Sequence, residues 1–197
     1  MKNQDRYQKH MSWRMFNNIA KRYNFLNNIL SAGVLPYWRN QLIKQLPKKQ
    51  DLSILDCATG TGEVMFSIMK KKHQQIQQIT GLDLAENMMA IGKEKQKSLT
   101  YNQKIKFITA SATEIPYDDE TFDCVSMAFG IRNVDDVEKC LAEIYRVLKK
   151  GGIALIMEFS LPSNWILRKL YLFYFRHILP VIAGVISGNI KAYKYLN

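Results

Sequence analysis

Two glycines one residue apart, Gly60-Thr61-Gly62, follow the short apolar run Leu52 to Cys57, which carries Asp56, and precede a second acid, Glu63. Such a turn bends the backbone sharply and lets it approach a ligand closely, because glycine has no Cβ. A helix starting directly after it aims free N–H groups at whatever sits there. Strand, tight turn and helix start together make a nucleotide-type binding corner. The neighbouring residues disfavour a phosphate. No GxxxxGK[ST] loop is present, no Lys or Arg lies between Leu55 and Val64, and Met65-Phe66 replaces the third glycine of GxGxxG. About twenty residues on, Ile79-Thr80-Gly81-Leu82-Asp83 ends in a further acid, where a carboxylate accepts hydrogen bonds from two ribose hydroxyls. A ligand with a ribose, a cationic end and no phosphate fits Asp56, Gly60, Gly62 and Asp83. S-adenosylmethionine is that ligand; a structural turn without a ligand is the plainer alternative.

The elements that must hold these residues follow from hydrophobic pattern and breakers. Leu52 to Cys57 reads as a buried strand, with a helix continuing through Val64-Met69. Ile79-Asp83 is a second strand, and Glu86 to Lys97 a helix with its acid first and its lysines last, as the macrodipole favours. Ile105-Ile108 is a third strand, ending at Ala110-Ser111-Ala112, beside the adenine in such folds. Phe122 to Phe129 is a fourth strand, Asp135 to Leu148 a helix starting near Asp135 or Asp136, Lys149-Gly152 a turn, and Ile153 to Phe159 a fifth strand. Strands alternating with helices predict an α/β, Rossmann-like domain with a mostly parallel sheet ordered 3-2-1-4-5. Upstream, Trp13 to Leu30 reads as an amphipathic helix capped by Ser12 and broken by Gly33 and Pro36. Trp38 to Leu46 makes a shorter one. The 197 residues suit one domain: a helical cap over 1–50, a binding core over 51–160 and an apolar, basic tail over 161–197.

Charge is unevenly spread. Residues 1–50 carry ten Lys/Arg and one acid (+9), 51–158 carry a net −3, and 159–197 carry +5 with no acid, giving +11 in all. Basic ends around an acidic core suggest an anionic surface, membrane or nucleic acid, as partner; a solvated lysine surface is the bland alternative. Arg168, Lys169 and Arg176 interrupt the aromatic tail Trp165 to Ile190, so it reads as a basic amphipathic helix at a membrane interface rather than a span. Core packing or a lid over the substrate fits the same pattern. The N-terminus lacks a signal-peptide core. Cys57, Cys124 and Cys140 and the three histidines lack metal-ligand spacing, so no metal is expected. Cys57 and Cys124 are expected on adjacent buried strands, which suits a reducing cytoplasm.

Several motifs resemble the menaquinone/ubiquinone C-methyltransferase family. They are Met15-Phe16, Ile19-Ala20, Arg22-Tyr23-Asn24 and Asn27, then Leu30-Ser31-Ala32-Gly33 and Trp38-Arg39, and Phe129-Gly130-Ile131-Arg132-Asn133-Val134. Tyr145 to Gly152, Glu158-Phe159-Ser160 and Tyr193-Lys194-Tyr195-Leu196 extend the resemblance over nearly the whole chain. It implies a class I S-adenosylmethionine-dependent methyltransferase that methylates a ring carbon of a demethylated isoprenoid quinol such as 2-demethylmenaquinol. It implies cofactor contacts at Thr61, Asp83, Ser111 and Ala112. Three positions depart from the family. Ala128 stands where a hydroxyl residue often precedes Phe-Gly, and Asn24 replaces an Asp. The family continues past the position of Asn197 through an antiparallel strand pair, which the expected fold therefore lacks.

Carbon methylation needs a deprotonated quinol hydroxyl and a fixed in-line geometry. Arg132 is the candidate to orient a water or stabilise the quinolate, with Tyr23 and Asn133 assisting; a structural ion pair with an acid such as Asp135 is the alternative. The expected setting is the cytoplasm, peripheral at the inner face of an anionic membrane. No nucleic-acid partner is expected, and an oligomer is possible. An RNA methyltransferase is the second reading, because a pI near 9.5 favours phosphate contacts. It lacks an Asn-Pro-Pro-aromatic or catalytic-Cys motif. A noncatalytic subunit of a quinone-synthesis complex is the third.

Overall fold

The computed structural model describes residues 34–160 and 163–173, together with Arg14, Asn17 and Ala20. Apart from those three, the residues of the helix expected over Trp13–Leu30, Tyr23 and Asn24 among them, lie outside the described residues, as does the tail beyond Phe173. Five strands, β1 (Leu52–Cys57), β2 (Ile76–Asp83), β3 (Ile105–Thr109), β4 (Phe122–Ala128) and β5 (Leu148–Met157), form one sheet. Its order is β3-β2-β1-β4-β5 and every neighbouring pair is parallel. This is the predicted order. It reverses between β1 and β4, so loops after these two strands open a crevice at their carboxyl ends.

The central strand shows why the run folds this way. Leu52 and Ile54 pack with Met65, Ile68 and Met69, while Leu55 and Cys57 pack with Val125, Cys140 and Ile144. Successive side chains of a strand point to opposite faces, so a strand covered on both faces must be apolar at nearly every position. Helix α2 (Glu63–Lys72) supplies the methionines of the first layer, and α4 (Val137–Val147) supplies Cys140 and Ile144 of the second. α3 (Glu86–Lys97) begins just past β2. Gly92 lets α3 sit close to the sheet: a Cβ there would lie 2.7 Å from the Phe107 ring and 3.1 Å from the Thr61 carbonyl oxygen.

Boundaries differ from expectation where backbone geometry overrides pattern. α1 spans Leu35–Lys44 rather than starting at Trp38. Pro36 sits in its first turn, where the missing N–H has no partner to lose. β2 begins three residues early, at Ile76, because Leu52 pairs with it despite the polar Gln77-Gln78 between Ile76 and Ile79. β4 stops at Ala128, since Phe129 adopts a left-handed φ of 57°. α4 runs Val137–Val147, and Asp136 caps it by accepting from Lys139 N at 2.9 Å.

The turn expected at Lys149–Gly152 belongs instead to β5. Phe122 pairs with Leu148 and Cys124 with Ile153, so these residues form a bulge, with Gly151 at φ 77°. Buried Asp123 anchors the bulge, accepting from Lys149 Nζ at 3.2 Å, Lys49 Nζ at 2.6 Å and Ser53 N at 2.8 Å. Burial pushes its carboxyl up, but these donors outweigh burial and hold it below the usual carboxylate range.

Candidate active site

The turn after β1 carries three left-handed residues, Ala58, Gly60 and Gly62, at φ 53°, 56° and 78°. Beneath it lies Asp56, 1% exposed. Thr59 Oγ1 donates to one Asp56 oxygen at 2.7 Å and Ser126 Oγ to the other at 2.6 Å. Ser126 reaches it because it is the register partner of Asp56 on β4. Asp56 thus holds the turn to the neighbouring strand as well as lining a small cavity beside it. Burial pushes its carboxyl up to about 6, the two hydroxyl donors pull it down, and the Asp83 charge adds to the rise.

A raised folded-state pKa stabilises below the ordinary value of 3.8, and that contribution is lost as pH rises through about 6. Two units correspond to roughly 3 kcal/mol. Asp56→Asn is therefore expected to melt above the parent at pH 7.5, the gap closing as pH falls toward 4.5. Melting curves across that range test it; a gap that stays constant with pH overturns it.

Asp83, at the end of β2, closes the other side. Its Oδ2 accepts from Gly60 N at 2.7 Å and its Oδ1 from Ala85 N at 2.8 Å. Burial raises its pKa, and those amides work against the rise. Each carboxylate oxygen retains acceptor capacity beyond these bonds. Asp83, Gly60, Ser111, Ala112 and Asn133 all line one cleft of about 710 Å³, within the range of small-molecule sites. Its charged lining, among the described residues, is Asp83, Glu86 and Asp135, with no Lys or Arg. A pyrophosphate would meet only like charge there. A ribose diol or a cationic group meets acceptors.

Ser111 Oγ lies 2.8 Å from Thr113 Oγ1 and accepts from Thr113 N at 3.2 Å, which fixes the loop after β3. Thr61, 2% exposed, faces a second cavity of about 220 Å³ with Asp56, Arg39, Glu63 and Lys95. Gly62 serves the turn itself; a Cβ there would lie 2.9 Å from the Phe66 ring. Among the described residues no His/Cys/Asp/Glu group could hold a metal ion. The three thiols are free and buried, and burial pushes Cys124 up to about 12 and Cys140 to about 11, so both are poor nucleophiles at neutral pH.

Arg132 and Asn133 sit on a single 3₁₀ turn, Ile131–Asn133, just past β4. Asn133 Nδ2 donates to Phe129 O at 3.4 Å. Arg132 forms an ion pair with Glu158, not the nearby acid the sequence suggested as an example, and its guanidinium stands 5.4 Å from the Phe159 ring centroid. Phe159 stacks on Phe129 at 4.3 Å and meets Trp38 edge-on at 5.6 Å. These aromatics wall a third cavity of about 810 Å³ along β5. Sequence reasoning did not single out Glu158, Phe129 or Trp38 as site residues. Their only signal was membership of the motifs that carry the resemblance. Phe129 lines all three cavities.

Comparison with known proteins agrees with this geometry. Residues 3–197 match the model of the ubiE/COQ5 methyltransferase family. The chain is 44% identical over 182 residues to the ubiquinone/menaquinone biosynthesis C-methyltransferase UbiE of Geobacter sulfurreducens, covering 92% of this chain and 70% of that one. It is 41% identical over 186 residues to the demethylmenaquinone methyltransferase of Chlorobaculum tepidum, covering 92% and 73%. A SAM-dependent methyltransferase structure from Thermotoga maritima superposes with a TM-score of 0.58 at 23% identity, covering 84% of this chain and 70% of that one. The YcgJ protein of Bacillus subtilis gives 0.58 at 21% identity, covering 72% of this chain and 59% of that one. At such identities the structural likeness speaks for the fold alone.

Proposed function

We propose a substrate and a chemistry from one premise: this chain belongs to the ubiE/COQ5 methyltransferase family. It methylates a ring carbon of a demethylated isoprenoid quinol, 2-demethylmenaquinol, at the expense of S-adenosylmethionine. The observation that carries this reading is Phe129, which lines both the acid-lined cleft and the aromatic cavity. A methyl donor in the first and a flat ring in the second would both border this residue.

When bound, adenosylmethionine supplies an electrophilic methyl on a cationic sulfur. Asp83 would accept the ribose hydroxyls, Ser111 and Ala112 would flank the adenine, and Gly60, Thr61 and Gly62 would give the close backbone approach, with Asp56 fixing the turn. Phe129, Phe159 and Trp38 form an aromatic wall against which a planar ring would lie with little water. Arg132 uses Nη1 on Glu158 and keeps further donors for the quinol oxygen as it becomes negative. Asn133 holds the turn that aims it, and Tyr23 assists from the N-terminal segment. Holding ring and methyl in line is the larger share of the work.

Transfer of a radiolabelled methyl tests the reading, with 2-demethylmenaquinol and RNA as parallel acceptors. Label in the quinol alone is expected. Label in RNA, or in neither, overturns it.

The quinol's isoprenoid tail partitions into a bilayer, so we place the chain at an anionic membrane surface on its cytoplasmic side. α5 (Trp165–Phe173) exposes Trp165, Ile166 and Phe173 alongside Arg168 and Lys169, with Lys169 Nζ 4.9 Å from the Trp165 ring centroid. Aromatic and cationic residues on one short helix suit the interfacial region. Among the described residues no helix is long and apolar enough to cross a membrane. Sedimentation with vesicles is expected to show binding that requires anionic lipid and weakens with salt. Equal binding to neutral vesicles at every salt concentration overturns the electrostatic part.

A further inference from the structure

Glu158 has one oxygen engaged and one without a partner among the described residues. Oε1 accepts from Arg132 Nη1 and from Phe159 N at 2.9 Å. Oε2 is buried and has no hydrogen-bond partner among the described residues. Desolvating a carboxylate oxygen without a donor is unfavourable, and folded proteins rarely leave one in that condition without a use for it. Its surroundings indicate the use. Glu158 lines the aromatic cavity, and among the described residues of that lining it is the one charged side chain.

Strand register puts it there. Ala128 pairs with Met157, and Phe129 N donates to Met157 O at 2.8 Å. Glu158 therefore follows directly after the backbone that holds Phe129, the residue shared by cofactor cleft and aromatic cavity. A guanidinium offers donors and no acceptor atom, so Arg132 is not the base.

We propose that Glu158 Oε2 accepts the hydrogen bond of the quinol hydroxyl beside the methylated carbon and takes its proton, while Arg132 holds the carboxylate and faces the resulting oxyanion. This rests on the quinol reading above. The quinol O–H bond breaks and an O–H bond forms on Glu158. The electron pair released shifts through the ring to the adjacent carbon, which forms the C–CH₃ bond as the S–CH₃ bond breaks and the sulfonium becomes a neutral thioether. That carbon then loses its hydrogen to water as a proton, and the oxygen recovers the proton held on Glu158. One proton is released overall and the carboxylate is restored.

Three variants and two readouts test the proposal: E158Q, E158D and E158G, with single-turnover methyl transfer to 2-demethylmenaquinol and adenosylmethionine affinity by calorimetry. E158Q is expected to keep cofactor affinity within a few-fold and to slow transfer by at least about a hundredfold, as for a positioned proton-transfer group. E158D is expected to retain more activity than E158Q. Added formate is expected to restore part of the rate to E158G, because a small carboxylate can occupy the vacated place. Transfer by E158Q at the parent rate overturns the proposal, as does a loss of cofactor affinity matching the loss of rate. A slow E158G that formate does not restore leaves Glu158 only the holding of Arg132 and overturns the proton-acceptor role. A parent chain that transfers no methyl to this quinol overturns the substrate reading, and this proposal with it.

Discussion

Asp83→Ala is expected to weaken adenosylmethionine binding by at least about tenfold, since charge-assisted hydrogen bonds are worth roughly 1.5–3 kcal/mol each. The loss has two sources. In the proposed site the carboxylate would accept from the ribose hydroxyls, and it fixes the protein around them through Gly60 N at 2.7 Å and Ala85 N at 2.8 Å. Removing it frees the turn whose close approach the cofactor needs and leaves two amides unpaired. Asp83→Asn separates the effects: its single amide oxygen can still accept from one of these N–H groups, but the charge is gone. Calorimetry should rank the parent above Asn and Asn above Ala. An alanine variant that binds the cofactor as tightly as the parent would remove Asp83 from the site.

Arg132→Lys is expected to lower turnover by on the order of a hundredfold while adenosylmethionine affinity stays within a few-fold of the parent. Lysine keeps the charge and can keep an ion pair with Glu158. It loses the planar fork, which holds Glu158 with one arm and, on the proposed reading, would leave another for the quinol oxygen. It also loses the flat face that lies against the Phe159 ring. An ammonium drawn to Glu158 has no fixed second direction left for the acceptor. Steady-state kinetics should show the loss in kcat, because the oxyanion is strongest in the transition state. Methylation of 2-demethylmenaquinol at the parent rate would make Arg132 a structural residue only.

Sequence by itself determined the sheet order and the turn after β1, because apolar runs and glycine breakers can be read segment by segment. The pairings they lead to nonetheless span 23 residues from Gly60 to Asp83 and 70 from Asp56 to Ser126. An apolar run bounded by Gly60 and Gly62 can be little else than a buried strand entering a tight turn, and Asp83 ends its own strand beside that turn. The β3-β2-β1-β4-β5 order follows from alternating strands and helices joined by right-handed crossovers. Element ends were less legible. Pro36 reads as a breaker until its place in the first turn of α1 is seen, and Lys149–Gly152 reads as a turn until Asp123 is seen to hold Lys149 within β5.

The aromatic cavity was decided by tertiary structure. A local pattern offers Arg132 a partner such as Asp135, three residues away, whereas the fold gives it Glu158, 26 residues away. The cause is register: Ala128 beside Met157 sends the chain after β4 and the chain after β5 out of the sheet side by side. Phe129, turned by its left-handed backbone, then stacks on Phe159, and Trp38 closes the wall from α1. No periodicity within any one segment encodes that meeting, because its three parts come from separate elements and touch only once the sheet has aligned them.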